Sequence, residues 1–355
     1  NEILAEEYPA LAAKCTDWKE FQEAAAAWLE NMEEAEGYTI AADKQIACVE
    51  GCMNCGCEYT SFPLFDGLRN YSRYSHSVGC ALIVWRFTHD VRQTIAALLH
   101  DIATPTFAHV IDFLNNDHLK QESTEHGTTE IIASSAEIME KLKELGLTLD
   151  DVADYHRYPI ADNDSPKLSA DRLEYTLTNM VNYRVAPYED VQRWFEDLTV
   201  SANDEGEEEL MFNNPEAAEQ FSLAALRTSA IYIADEDRFA MQTLAELLKK
   251  HIKRGILDTS DLYQTEERVI ALLGSDAAAA ADWNRFRQLH RICRGCQHPE
   301  AKIIVAKKRH INPCVAGKGR VTEWSAPFAE ALQRFLRQGC RGSHRRRLRH
   351  LQRGR

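Results

Sequence analysis

Several absences narrow the field before any motif is read. No run of about 18 apolar residues occurs, the minimum for a membrane-crossing helix, and no secretory apolar stretch is present. Ten cysteines in 355 residues fall far short of a disulfide scaffold. With no signal segment, that count gives the expectation of reduced thiols in a cytoplasm. Base is not in excess either: 41 Lys and Arg stand against 55 Asp and Glu, a net charge of −14. A surface of that sign argues against a nucleic-acid coat, although a local positive pocket is compatible with it. Internal repeats, a Gly-rich phosphate cradle, a Ser-His-Asp order and a dinucleotide fingerprint are all missing.

What is present reads as a mainly α protein. Hydrophobic residues make up 45% and charged residues 27%, the balance of a globular body with a sizeable core. Apolar spacing of three and four predicts helices over 17–33, 76–88, 91–103, 123–145, 168–182, 189–198, 215–253 and 260–273. Pro215 suits a first helical turn, and the long 215–253 stretch is expected to break near 235–237. Strand signals are few: an Asn-Asp-Glu-Gly turn within 200–213 predicts a β-hairpin, and 302–311 is a second strand candidate. The expected layout is an N-terminal helical segment (1–50), a core (51–200), a β-hairpin insertion (201–214), a C-terminal helical region with a short strand (215–335) and a basic tail (336–355). That tail carries seven Arg from Arg341 onward and no acid. A nucleic-acid or lipid contact is one reading of it; a disordered end is the plainer one.

The chemistry concentrates in three places. His100-Asp101 closes an apolar run, where two polar side chains cost free energy unless something satisfies them, and a metal ion satisfies imidazole and carboxylate together. His76 lies on an earlier helix and Asp171 on a later one. Three helices could thus bring two nitrogens and two carboxylates to one ion. His89-Asp90, a second His-Asp pair without the apolar run before it, reads as a solvated turn. Such a donor set suits Mn, Fe, Ni, Co or Zn, with Mg also admissible. Extra histidines at His118, His126 and His156 leave a second ion open. The loop after Tyr155, running to Pro166, could bring His156, Arg157 and Lys167 beside a phosphate. Cys48, Cys52, Cys55 and Cys57, with Cys293 and Cys296 far downstream, form a weaker pattern. Their separation is unlike a compact zinc ribbon, and buried thiols are the plainer account.

These stretches together resemble the HD-domain metal-dependent phosphohydrolases, and most resemble the deoxynucleoside triphosphate triphosphohydrolase branch. Arg73-Tyr74-Ser75-His76-Ser77-Val78 matches the first family block. Leu98-Leu99-His100-Asp101-Ile102-Ala103-Thr104-Pro105-Thr106-Phe107-Ala108-His109 is similar to the second, and Asp171-Arg172-Leu173-Glu174-Tyr175 to the third. The resemblance implies an HD helical bundle in which His76, His100, Asp101 and Asp171 are metal ligands. It places His109 near the scissile phosphate, with Glu125 orienting it and Asp101 shared between metal and catalysis. Arg73 and Arg172 would face phosphate oxygens, and Tyr175 the sugar. It also implies a nucleotide or other phosphoester substrate and a homo-oligomer, while the missing apolar run gives the expectation of no membrane partner. The chain departs from the family at Ala103-Thr104, where Gly-His is usual, and at Thr124, where a histidine is usual; His126 is displaced by one position. Those departures keep two alternatives in view: another phosphoesterase on the same ion (nucleoside monophosphate or cyclic-dinucleotide), and a non-catalytic nucleotide sensor.

Overall fold

The computed structural model describes residues 55–69, 71–115, 127–294, 302–304, 307–337 and 347–350. The helix expected over 17–33, the whole 1–50 segment, Cys48, Cys52, Cys296, His118, Thr124, Glu125 and His126 lie outside the described residues.

The first two long helices show how local sequence sets the site's framework. Helix α1 (Arg73–Thr88) starts at Ser72, whose side chain accepts the backbone N–H of Ser75, and ends at His89 in a left-handed conformation. Helix α2 (Val91–Leu99) starts one residue later, where the Asp90 carboxylate accepts the N–H of Arg92. His89-Asp90 is therefore a C-cap followed by an N-cap. That turn folds α2 back on α1, so the end of α2 comes level with the start of α1. The helix expected over 91–103 stops at Leu99, and His100 and Asp101 sit in the turn beyond it.

Helix α3 (Val110–Leu114) is one short turn and a half. The helix expected over 123–145 is two, α4 (Thr128–Ser134) and α5 (Ala136–Glu144). Ser135 divides them because it takes an extended backbone and uses its hydroxyl to cap α5 at Ile138. Then come α6 (Leu149–Val152), α7 (Ala170–Asn182) and α8 (Tyr188–Glu196). Helix α7 is capped by the Ser169 hydroxyl and packs across α1. Its Leu173 and Leu177 are fully buried, each contributing about 1.5–3 kcal/mol of hydrophobic stabilisation.

The predicted hairpin is present as β1 (Leu198–Ala202) and β2 (Glu208–Phe212), paired antiparallel from Leu198↔Phe212 to Ala202↔Glu208. It is not a free-standing insertion, however. The two-residue strands β5 (Cys314–Val315) and β6 (Gly319–Arg320) extend it into a four-stranded sheet ordered β1-β2-β5-β6. Leu210 and Phe212 are buried on one face of β2 and Glu209 and Met211 on the other, so the strand is covered on both faces.

Helices α9 (Pro215–Tyr232) and α10 (Asp235–Lys253) divide the long 215–253 stretch just before 235–237, as expected. The 260–273 stretch becomes a 3-10 turn and α11 (Glu266–Gly274), followed by α12 (Ala277–Arg287). Late in the chain, α13 (Val321–Trp324) and α14 (Ala326–Arg337) pack on α9. A second sheet is ordered β3-β7-β4, from Ile292–Arg294, Arg347–His350 and Lys302–Ile303. The strand expected over 302–311 is thus only two residues long. Part of the expected disordered tail is instead β7, whose backbone pairs antiparallel with β3 and β4. Among the described residues, no helix is long and apolar enough to cross a membrane.

Three apolar clusters hold the body together. One joins α1, α7, α8, α9, the first sheet and α14. A second joins 55–65, α3, α10, α11 and α12. A smaller third lies under α2, α4, α5 and α6. Ala97 belongs to the first, Ile102 to the third, and Phe107 and Ala108 to the second. The turn carrying His100 and Asp101 therefore runs where all three adjoin, and its backbone is fixed from each side.

Candidate metal centre

Four residues from three separate stretches of the chain come within a few ångströms. His76 Nε2 lies 3.0 Å from Asp171 Oδ1 and 3.7 Å from Asp101 Oδ2. His100 Nε2 lies 3.6 Å from Asp101 Oδ2 and 3.8 Å from Asp171 Oδ1. The two imidazole rings are 5.1 Å apart, centre to centre. Both Nε2 atoms thus face the same two carboxylates, and all four sequence-read ligands meet.

Each imidazole is also set from behind. His76 Nδ1 lies 2.6 Å from Glu174 Oε2, and His100 Nδ1 lies 2.6 Å from the carbonyl of Ala97. With each Nδ1–H donating to these oxygens, the Nε2 lone pair is the one available to a cation, the usual arrangement behind metal-bound histidine. Glu174 is itself buried and held: the Tyr71 hydroxyl donates to Oε2, and the Thr178 hydroxyl donates to Oε1 at 3.0 Å. Room for it exists only because residue 79 is glycine. A Cβ there would stand 2.6 Å from Glu174 Cγ.

Cys80, one turn after His76, is also within reach of the cluster. Its Sγ is 3.6 Å from His76 Nε2 and 3.7 Å from Nδ1. Being nearly equidistant from both ring nitrogens, the sulfur lies against the ring rather than along the Nε2 lone pair. Burial pushes its thiol pKa up. The donor atoms that all lie within 4.8 Å of one another are those of His76, Cys80, His100 and Asp171, while Asp101 Oδ2 faces both Nε2 atoms at 3.7 and 3.6 Å.

Charge is balanced locally. Burial works against ionising Asp101, but Arg73, then His100 and His76, hold its carboxyl well below the usual range. Burial is opposed in the same way at Asp171 by the His76 hydrogen bond and charge. Burial also disfavours protonated His76, yet Cys80, Asp171 and Glu174 together raise its pKa well above the ordinary value. Arg73 NH1 donates to Asp101 Oδ2 at 2.9 Å, and the Thr104 hydroxyl donates to Asp101 Oδ1 at 2.9 Å. Thr104, a departure from the family motif, therefore has a defined place: it fixes the second oxygen of Asp101.

His109 begins α3, after two consecutive residues with left-handed backbone, Phe107 (φ 64) and Ala108 (φ 42). Each such non-glycine residue costs about 1–2 kcal/mol. Packing of fully buried Phe107 and the Thr106 N–H bond to the Leu262 carbonyl at 2.7 Å hold the turn in place. The orienting acid visible for His109 is Asp112, at 2.9 Å from Nδ1 and fully buried; sequence reading assigned this role to Glu125. Burial lowers the His109 pKa, the Asp112 bond partly offsets that, and the charges of Arg309 and Arg73 lower it further.

The remaining sequence-read residues are distributed differently. Tyr175 is packed near the centre, its ring 6.4 Å from His76 and 6.2 Å from Tyr232. Arg172 is turned into the loop before its own helix. Nε donates to the Lys167 carbonyl at 2.8 Å, NH2 to Asn163, and NH1 lies 3.0 Å from Asp162. Lys167 is pinned to the hairpin turn by Glu205 and Glu207. Neither reaches the four-residue cluster, because nearer carboxylates and carbonyls take up their donors. His156 is half exposed and pairs with Asp154 at 3.2 Å, but its ring stacks 4.2 Å from Tyr155, which in turn lies 4.9 Å from His100. Cys55 and Cys57 are buried thiols, and Cys57 Sγ donates to the Asp237 carbonyl at 3.7 Å, which fits the plain-thiol reading for the described part of that pattern.

Sequence reading missed Glu174 and Asp112, although each stands three residues after a chosen site residue and so on the same helical face. Arg309 was missed too. Its charge bears on Tyr175 and His109, and no local pattern in 307–313 announces this.

No family model matches the chain. It is 26% identical over 206 residues to the uncharacterized protein YdhJ of Bacillus subtilis, covering 58% of this chain and 61% of that one. It is 30% identical over 126 residues to the metal-dependent phosphohydrolase cns2 of Cordyceps militaris, covering 34% and 35%. The chain thus spans less than two thirds of either curated relative. A crystal structure of a hypothetical protein from Aquifex aeolicus is similar over 82% of this chain and 87% of that one, with TM-score 0.57 and 16% identity, which shows a shared fold. The chain has weak homology to a metal-dependent phosphohydrolase and a buried His, Cys and Asp cluster able to hold a metal ion.

Proposed function

We propose that this chain is a metal-dependent phosphohydrolase acting on a nucleotide, in the manner of a dNTP triphosphohydrolase. The observation that carries the reading is the convergence of His76, His100, Asp101 and Asp171, with both Nδ1 atoms already committed elsewhere. Two imidazoles and two carboxylates fit a divalent transition ion. Such an ion, when bound, lowers the pKa of a water and polarises a phosphoryl oxygen.

The chain's own residues do the rest. Asp101 is held by Arg73 and Thr104, so it cannot swing away from the two imidazoles. The Arg73 guanidinium also places a positive charge beside the centre, suited to a phosphoryl oxygen. His109, kept neutral near pH 7 by burial and oriented through Nδ1 by Asp112, is suited to proton transfer at Nε2. Tyr175 and Tyr232 supply an aromatic wall of a kind that packs on a sugar or base. Arg172 and Lys167 act at a distance, by fixing the loop that caps the Asp171 helix.

The test is a panel of nucleoside triphosphates, nucleoside monophosphates and cyclic dinucleotides with Mn²⁺, Mg²⁺ or Ni²⁺, analysed by product. Intact triphosphate released from a dNTP is the expected result, abolished by Asp101→Ala. Orthophosphate from a monophosphate, or an opened cyclic dinucleotide, moves the substrate assignment to another phosphoesterase. Absence of turnover on every substrate, or activity that survives Asp101→Ala, contradicts the hydrolase reading.

A further inference from the structure

Away from the candidate centre, His251 near the end of α10 is fully buried with both ring nitrogens in use. Nε2 lies 2.9 Å from Asp282 Oδ2 on α12, and Nδ1 lies 3.1 Å from Arg254 NH1. A guanidinium can only donate, so Nδ1 accepts and Nε2 carries the proton. The two bonds therefore select one neutral tautomer. Arg254, the residue that closes α10, forks onto Asp276, with NH1 at 3.0 Å from Oδ1 and NH2 at 3.3 Å from Oδ2. Asp276 in turn caps α12 by accepting the backbone N–H groups of Ala278 and Ala279 at 3.1 and 2.9 Å. Asp282, His251, Arg254 and Asp276 thus form one continuous chain of hydrogen bonds between the end of α10 and the first turns of α12. The same end of α10 reaches α3, the helix that His109 begins, where the Lys249 ammonium donates to the Leu114 carbonyl at 3.5 Å.

A second proton on this imidazole has only Nδ1 to go to. There its N–H would point at an N–H of Arg254, and two cations would stand where one hydrogen bond had been. The charged groups around the ring give the imidazolium no spare acid. Asp282 on α12 is already met by Lys250 of α10 at 2.5 Å and by Arg285 of α12. Asp276, in the turn before α12, is met by Arg254. Burial, then Arg254 and Lys250, lower the His251 pKa from the ordinary 6.5, with Asp276 opposing them.

We propose that His251 is a pH-sensitive latch between α10 and α12: neutral, it holds Arg254 against Asp276; protonated, it expels Arg254 and loosens the start of α12. The latch uses no residue of the candidate centre and goes beyond the hydrolase reading. Its sign follows from the lowered pKa. The stabilising contribution is complete above 6.5 and is lost as pH falls below 6.5 toward the folded value. His76 contributes with the opposite sign, so global unfolding sums the two and only a local measurement isolates the latch.

Two measurements on the full chain test this. Imidazole nitrogen NMR, assigned by through-bond connectivity, should show His251 as the Nε2–H tautomer at neutral pH and titrating below 6.5. Hydrogen exchange, corrected for the intrinsic rate at each pH, should show residues 254–257 and 276–282 losing protection on acidification below 6.5. The loss should reach up to about tenfold per pH unit, since an opening that exposes one neutral imidazole takes up one proton. Protection in the β1–β2 hairpin should stay as it was. His251→Gln keeps both bonds, its amide donating to Asp282 and its oxygen accepting from Arg254, and it does not titrate. That variant should match the unaltered chain at neutral pH and keep its protection on acidification. An Nδ1–H tautomer, a titration at or above 6.5, or the same acid loss of protection in His251→Gln overturns the proposal. Should the variant not fold, the tautomer and titration of the unaltered chain decide the matter.

Discussion

His76 is placed between two acids with different tasks. Asp171 at Nε2 shares the position of a cation, whereas Glu174 at Nδ1 fixes the ring and its tautomer. Replacing Glu174 by Gln keeps the size and removes the charge behind the imidazole. Such a change typically costs about 10–100-fold in metal affinity, so Mn²⁺ calorimetry on Glu174→Gln should show that drop in a protein that still unfolds cooperatively. An unchanged affinity would mean that Glu174 only fills space. His109 gives a complementary prediction. It touches no member of the four-residue cluster, so His109→Ala should lower kcat by about 10²–10⁴ and leave Mn²⁺ affinity as it was. A parallel loss of both would make His109 a ligand rather than a proton carrier.

Among the elements, the contact of α1 with α7 carries the most consequence, because it brings His76 to Asp171 and Glu174. The closest approach is at Gly79, where any Cβ would meet Glu174. Gly79→Ala is accordingly expected to destabilise the fold by about 1–3 kcal/mol, the range for overpacking, despite the better helix propensity of alanine. Urea unfolding checks this, and stabilisation would contradict the packing described. Glu209 is a second such element-level tie. Fully buried on β2, it accepts Arg320 NH1 and NH2, at 2.5 and 2.7 Å, and the Leu168 N–H at 3.2 Å, joining the first sheet to the start of the Asp171 helix.

Element by element, legibility followed the presence of a local signal. Helices α1, α2 and α7 could be read because Ser72, Asp90 and Ser169 are capping residues ahead of apolar spacing. The four candidate ligands could be read because each stands in a short motif. Helix α12 begins with five alanines, which carry no periodicity, and β5 and β6 are too short for any. Helix α14 has a helical spacing in Phe328, Leu332 and Phe335, but a strand-like run and a basic tail flank it. Arg309 was illegible for a different reason: its position depends on how the 307–313 segment crosses the loop before α7, a tertiary matter. Arg172 and Lys167 misled for the converse reason. Their motif and loop positions suggested phosphate, but acceptors supplied by the loop and hairpin are closer.

For the molecule as a whole, the centre imposes a pH signature. Asp101 and Asp171 have pKa values lowered from the ordinary 3.8. Their stabilising contribution is therefore complete above about 3.8 and is lost as pH falls below it toward their folded values. His76 is raised from the ordinary 6.5, so its contribution is complete below 6.5 and is lost as pH rises toward its folded value. Metal-free protein should accordingly be most stable between those limits, as read by urea unfolding across the pH range. A divalent ion competes with the Nε2 proton of His76, so adding Mn²⁺ should stabilise most on the alkaline side. Equal stabilisation by Mn²⁺ at acid and alkaline pH would contradict this.

The most direct test of the centre is the metal content and Mn²⁺ affinity of the unaltered chain beside His100→Ala and Asp171→Ala, by elemental analysis and calorimetry. Convergence of His76, His100, Asp101 and Asp171 on one ion predicts a single tightly bound equivalent in the unaltered chain and its loss in both folded variants. A chain that binds no divalent ion, or variants that bind it as tightly as before, would contradict the account.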